Sequence, residues 1–231
     1  AAHLGFRLEG RERCQPALFV TSLAAVAAFR SVSIAWKPVG AAGLSLGELS
    51  ALAVAEAMSL SDGLYLVKAR AEAMAECTAH QSGAMLAVIG LSSEAITRMC
   101  EQAGVVAANL NAPGQVVLSG AVEGIAKAER LAKEQQAKRA IRLEVAGAFH
   151  SPLMQPAATA FRKALAQVKF RAPCMPVISN VTGQPITDPQ QIPELLAKQI
   201  VSPVLWEASI RHLVQAGASR FVEFPPARIL S

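Results

Sequence analysis

The feature that most constrains this chain is the five-residue stretch Gly43-Leu44-Ser45-Leu46-Gly47. Before it, Pro38-Val-Gly-Ala-Ala-Gly43 reads as a short buried strand; after it, Leu46–Met58 carries helically spaced apolar residues without Gly or Pro. A serine between strand and helix, with a glycine two residues to either side, fits a sharp turn that only side-chain-free neighbours allow to close. The helix start then turns backbone N–H groups and a positive dipole end toward any charge developing at that serine. Such a turn fits an α/β architecture.

The 231 residues suffice for one large domain, or for one domain with an insertion. At 52% hydrophobic and 17% charged, the chain can bury a sizeable core and is not a disordered polymer. A net charge of +5 is modest, and its short basic run at Lys127–Arg142 is interleaved with Glu. No aromatic-basic motif accompanies it, so nucleic acid is not an expected partner, whereas an acidic protein suits a mild positive field. The four cysteines are far apart and lack a C-x-x-C, which excludes a zinc or redox motif and points to a reducing, cytoplasmic setting. No run of 18 purely apolar residues occurs, so no membrane-spanning segment is expected, and Arg7, Glu9 and Arg11–Arg13 break any signal peptide.

Along the chain, helices are expected at Gln15–Arg30, Leu46–Met58 and Gly63–Cys77, the last capped from Ser59–Asp62. The rhythm then changes to β-α-β-β-α-β: strands at Ala84–Gly90, Val105–Asn111, Gln115–Gly120 and Arg139–Val145, with helices at Ser92–Ala103 and Val122–Gln136. That is the ferredoxin-like order, read here as a compact insertion at 83–145 between two halves, 1–82 and 146–231, of a larger α/β body. Pro152–Val168, Ile192–Ile200 and Trp206–Ala216 read as helices, and Pro176–Asn180 and Arg220–Phe224 as short strands.

A serine nucleophile needs a base. Of four histidines, His3 lies in a loose end, His80 in a polar loop and His212 on an amphipathic helix. His150, in Ala146-Gly-Ala-Phe-His-Ser-Pro152, sits in an irregular junction just after the insertion and is the candidate base. An orienting acid is harder to find. Asp62 looks like a helix cap and Asp188 lies in a Thr-Asp-Pro turn, which argues against an ordinary Ser-His-Asp hydrolase.

These stretches together resemble malonyl-CoA:acyl carrier protein transacylases and the related acyltransferase domains of fatty acid and polyketide synthesis. The resemblance runs through QPALFVTS (15–22), GLSLGELSAL (43–52), DGLYLVKARAEAM (62–74), ANLNAPGQVVLSG (108–120), GAFHSPLMQPA (147–157), KQIVSPVLW (198–206) and FVEF (221–224). It implies a hydrolase-like α/β body with a mainly parallel sheet and an inserted ferredoxin-like α+β subdomain. It further implies Ser45 as nucleophile, His150 as base, the Leu46 N–H in the oxyanion hole and Gln199 as the residue whose main-chain carbonyl orients the histidine. Arg70 would hold the malonyl carboxylate, a task its planar fork suits, and Asn111 would line the pocket. The implied partners are malonyl-CoA and acyl carrier protein, with neither metal nor redox cofactor.

Three departures bear on this reading. Leu44 stands where the family usually has histidine, and Phe224-Pro-Pro-Ala where it has Gly-Pro-Gly. The family's opening strand and G-Q-G-S-Q-type loop are absent, so an N-terminally truncated chain is expected. Two alternatives therefore stand beside the transferase: a serine acyl-thioester hydrolase, and a catalytically weak copy that only docks carrier protein.

Overall fold

The computed structural model describes residues 11–32, 37–145 and 147–225, with side chains from residue 14 onward. His3, the Arg7–Arg13 side chains and Ala146 lie outside the described part. The order is α1 (Arg11–Val32), α2 (Leu46–Val54), α3 (Leu60–His80), β1 (Ala84–Ile89), α4 (Ser93–Ala103), β2 (Val106–Ala112), β3 (Gln115–Gly120), α5 (Val122–Glu134) and β4 (Arg139–Arg142). Helices α6 (Gln155–Leu165), α7 (Ile192–Gln199) and α8 (Trp206–Gln215) follow.

The helical part packs α3 against α1 and α6 around Phe19, Leu49, Leu52, Leu66, Met154, Phe161 and Leu196. Gly63 allows the α1–α3 approach: a Cβ there would lie 2.5 Å from the Phe19 ring. Helix α3 starts on a capped turn, with the Asp62 N–H donating to Ser59 Oγ at 3.0 Å. Helix α2 stops at Val54, four residues short of the sequence expectation. The chain leaves the helix at Glu56, whose φ is 61, and the Ala57 N–H turns back to Leu52 O; the carbonyls of Ala55 and Ala57 then accept from the N–H groups of Cys174 and Arg171.

Residues 84–142 form a four-stranded antiparallel sheet in the order β2-β3-β1-β4, with α4 and α5 over one face. Alternation along the strands sends Leu86, Val88 and Leu118 toward Ile96, Met99 and Ile125 of those helices. Met85, Ala108 and Val117 point the other way and meet Phe149, next to His150. Edge strand β2 is stitched to the helical part: the Leu110 N–H donates to Val204 O at 2.9 Å, and the Val204 N–H to Ala108 O at 2.8 Å.

Two expectations need correction. The mainly parallel body sheet is not seen among the described residues, where the only parallel pairing outside β2 is the Ala41–Val177 bridge. Pro38, Pro176 and Pro185 lack N–H groups and the chain turns at Gly43, so among the described residues this pairing stays a single bridge; no strand is described over 220–224. Secondly, Cys14–Val32 has a mean hydropathy of 1.3 over 19 helical residues, long and apolar enough to cross a membrane. It contains no unbroken apolar run of that length because Gln15, Thr21, Ser22, Arg30 and Ser31 interrupt. Here that helix buries Phe19 and Val26 and sends Gln15 into the site described below.

Candidate active site

The strand-to-helix turn is as tight as the sequence implied, for one of its two glycines. A Cβ on Gly43 would fall 2.0 Å from the backbone carbonyl of Gly47, so no other residue fits. A Cβ on Gly47 would meet nothing within 4 Å, so it is the backbone of this residue, not its missing side chain, that Gly43 abuts. Ser45 is thereby held at φ 54, ψ −106, a backbone region costing about 1–3 kcal/mol for a non-glycine residue. His150 has φ 57 as well.

These two strained residues meet. Ser45 Oγ lies 2.8 Å from His150 Nε2, and His150 Nδ1 lies 2.8 Å from the main-chain oxygen of Gln199. A carbonyl can only accept, so Nδ1 carries the hydrogen and Nε2 presents a lone pair to the serine hydroxyl. His150 is buried. Burial, and then the charge of Arg70, push its pKa down to about 4, which keeps the imidazole neutral and ready to accept a proton.

Arg70 rises from α3 into the same point. Its Nη2 donates to Ser45 Oγ at 2.9 Å and to Gln199 Oε1 at 3.2 Å, while Nη1 donates to Gln15 Oε1 at 2.6 Å. The guanidinium is 1% exposed, and its Nε has no acceptor among the described residues. Burial lowers its pKa to about 10, opposed by Glu48, so it stays cationic.

Beneath the turn lies a polar floor. Asn180 Oδ1 accepts from the Ser45 N–H at 2.6 Å and its Nδ2 donates to Gly43 O at 2.8 Å, clamping the turn from both sides. Glu48 Oε2 accepts from Gln199 Nε2 at 2.6 Å and from the Asn180 N–H at 3.2 Å. Gln199 Nε2 also reaches Ser45 O at 3.0 Å. Full burial raises the Glu48 pKa to about 7, against the lowering effect of these hydrogen bonds and of Arg70.

Of the residues singled out from sequence, Ser45, His150, Arg70 and Gln199 converge directly. Leu46 is the first residue of α2, where a backbone N–H has no intrahelical acceptor. Asn111 does not join this network; it sits on β2 with Oδ1 buried and unpartnered. Gln15, Glu48 and Asn180 were not singled out. Glu48 reads as an ordinary first-turn acid and Asn180 as a turn residue; only the three-dimensional closure of the chain buries them. A cavity of about 390 Å³ opens from His150 and Pro152 along Val201 and Pro203 to Ile96, Cys100 and Val106, between the helical part and the sheet.

A neutral imidazole on a serine hydroxyl, beside a helix start and a buried cation, is equipped for acyl transfer through a serine ester. That defines a class, the serine acyl-transfer proteins. The family model for the acyl transferase domain matches residues 7–230. A malonyl CoA-acyl carrier protein transacylase of Bacillus subtilis is 43% identical over 222 residues, 94% of this chain and 69% of that protein. The polyketide biosynthesis protein ThaF of Burkholderia thailandensis is 38% identical over 97% of this chain and 19% of its own length. The crystal structure of an acyl carrier protein S-malonyltransferase from Vibrio cholerae superposes with a TM-score of 0.91 at 38% identity, covering 95% of this chain and 73% of that one. The chain belongs to the acyl transferase domain family.

Proposed function

We propose that this chain transfers a malonyl group from coenzyme A to the phosphopantetheine thiol of acyl carrier protein, by way of an ester on Ser45. The carrying observation is the Ser45–His150–Gln199 relay with Arg70 on the same hydroxyl. In this reading, Ser45 Oγ attacks the thioester carbonyl and its proton passes to His150 Nε2. The oxyanion is met by the Leu46 N–H. The carbon–sulfur bond then breaks and the proton leaves with coenzyme A as its thiol. In the second half, the carrier thiol gives its proton to Nε2 and attacks the ester, and Ser45 recovers its hydrogen.

Gln199 takes the orienting place that no aspartate fills. Arg70 reads the free carboxylate of the acyl group; its unpartnered Nε is a donor in want of an acceptor, and a carboxylate is its natural complement. Asn111 is assigned to the wall of the same pocket on its unpartnered Oδ1. We read 1–82 and 146–231 as a hydrolase-like body and 83–145 as a ferredoxin-like insertion. The Ala41–Val177 parallel bridge beside the serine turn supports the former, and the β2-β3-β1-β4 order under two helices the latter. Four free cysteines suit a cytoplasmic setting. The Bacillus subtilis relative is named a transacylase and the Vibrio cholerae structure a malonyltransferase, which does not favour the hydrolase or the docking-only alternative.

The test is mass spectrometry of the protein after exposure to malonyl-CoA, followed by addition of carrier protein. A malonyl adduct on Ser45 that moves to the carrier thiol is expected. An unmodified Ser45, or free malonate released at a rate indifferent to carrier protein, would overturn the reading.

A further inference from the structure

The site already contains a buried carboxyl group before any substrate arrives. Glu48 is fully buried, and Arg70 is the charged group that faces it. The two are bridged by one side chain, since the Gln199 amide accepts from Arg70 Nη2 and donates to Glu48 Oε2. The remaining neighbours of Glu48 are uncharged: the Asn180 N–H and Ser179 from the segment before α7, and the Ser45 carbonyl through Gln199. His150, the other titratable group of the cluster, is neutral. One buried cation therefore serves one buried carboxylate, whose Oε1 has no hydrogen-bond partner among the described residues.

An acyl group that brings its own carboxylate to Arg70 puts two anions on a single buried guanidinium. Like charges sharing a site of low dielectric do not both stay ionised; one takes a proton. The malonyl carboxylate is the more acidic, and it gains a direct planar contact. We propose that Glu48 and the malonyl carboxylate are alternative anionic partners of Arg70, so that Glu48 takes up a proton as the malonyl group binds. This rests on the malonyl reading of the site. It makes Glu48 a positioning residue in the empty enzyme, holding the Gln199 amide, and a proton acceptor in the loaded one.

The sign follows from linkage. With Glu48 titrating at about 7 in the empty site, uptake should be about half a proton at pH 7, rising toward about nine-tenths at pH 8 and vanishing below pH 6. Malonyl affinity should weaken above pH 7 by up to about tenfold per pH unit, because the proton becomes scarcer. An acetyl group carries no second charge and should show neither effect. Protons bound by coenzyme A itself are common to both ligands and drop out of the difference.

The measurement is isothermal titration of the Ser45→Ala protein, which cannot form the ester, with malonyl-CoA and acetyl-CoA. It is run at pH 6, 7 and 8 in buffers of different ionisation enthalpy. Malonyl-specific uptake that grows with pH is expected, and Glu48→Gln added to Ser45→Ala should abolish it while malonyl still binds. Equal uptake from both ligands, together with a malonyl-to-acetyl affinity ratio flat from pH 6 to 8, would overturn the proton linkage in the Glu48-containing protein alone, whatever the folding of the variant. Uptake that survives in a folded Glu48→Gln protein would assign the proton to His150 and equally overturn it. Malonyl-CoA binding no tighter than acetyl-CoA would instead overturn the malonyl reading of Arg70.

Discussion

Replacing Ser45 by Gly should leave a more stable protein than replacing it by Ala, the reverse of the usual order inside a fold. Both substitutions delete the hydroxyl and hence its contacts with His150 and Arg70 equally. They differ in the Cβ, which at φ 54, ψ −106 is strained in Ala and absent in Gly. Strain of that kind costs about 1–3 kcal/mol, and Gly gives back about 0.5–1 kcal/mol through the greater freedom of its unfolded chain. At the middle of these ranges the Gly protein should be ahead by about 1 kcal/mol, or roughly 2–4 °C in midpoint for a chain of this size. Side-by-side urea and thermal unfolding, with a common slope required of both denaturant curves, gives the number. The clamp supplies an internal control. Asn180→Ala strips acceptors and donors from Ser45 N and Gly43 O, so the strained backbone can relax and the Gly-over-Ala advantage should shrink in that background. An Ala protein equal to or more stable than the Gly one would refute the idea that the turn stores strain at the serine.

Arg70→Ala should collapse the preference for malonyl over acetyl groups. It leaves the buried Glu48 without its cation, and one-sided removal of a buried charge costs about 3–5 kcal/mol, so acyl-ester formation from both donors is the readout and an unchanged preference would refute the assignment. His150→Ala should slow acylation by about 10²–10⁴-fold, while His80→Ala and His212→Ala leave it intact. Because His150 titrates at about 4, acylation followed by stopped flow at saturating malonyl-CoA should show no histidine limb between pH 5 and 8 and should fall as pH drops through about 4. Stability should be nearly independent of pH between about 4.5 and 6.5 as far as these two groups are concerned. There the folded state holds an extra proton on Glu48 while the unfolded state holds one on the histidine, and the two slopes oppose. In Glu48→Gln only the histidine contribution remains, so denaturant midpoints should then fall as pH is lowered from 6.5 toward 4.

The sequence made the turn legible because its constraint is local: Gly43 must face Gly47 whatever surrounds it. The antiparallel sheet of residues 84–142 was legible for a similar reason, since alternation over short strands and the capping Ser92 are near-neighbour signals. Limits appeared wherever a distant segment decided the outcome. Helix α2 ends four residues before the expected Met58 because Glu56 turns to a positive φ and the Ala55 and Ala57 carbonyls pair with residues 171–174. Pairing expected at 176–180 shrank to single bridges beside prolines. Gln199 became visible only through family resemblance, because a main-chain carbonyl leaves no trace in residue type. Glu48, Asn180 and Gln15 are spread over 165 positions, from 15 to 180, and nothing in their spacing announces that they share one floor.

The stitch between β2 and Val204 bears on how these proteins can be taken apart and recombined. The segment 200–205 connects the residue that orients the histidine to an open sheet edge, and two backbone hydrogen bonds close part of that edge. Residues 83–145 excised on their own would lose this cover and present bare N–H and C=O groups of β2 to other chains, an invitation to aggregate. A chimera that exchanges residues 83–145 between relatives inherits the same difficulty in milder form, because the new edge must accept the host's segment in register. The unit to graft is therefore discontinuous: residues 83–145 together with the short clasp after α7, carried across as one piece.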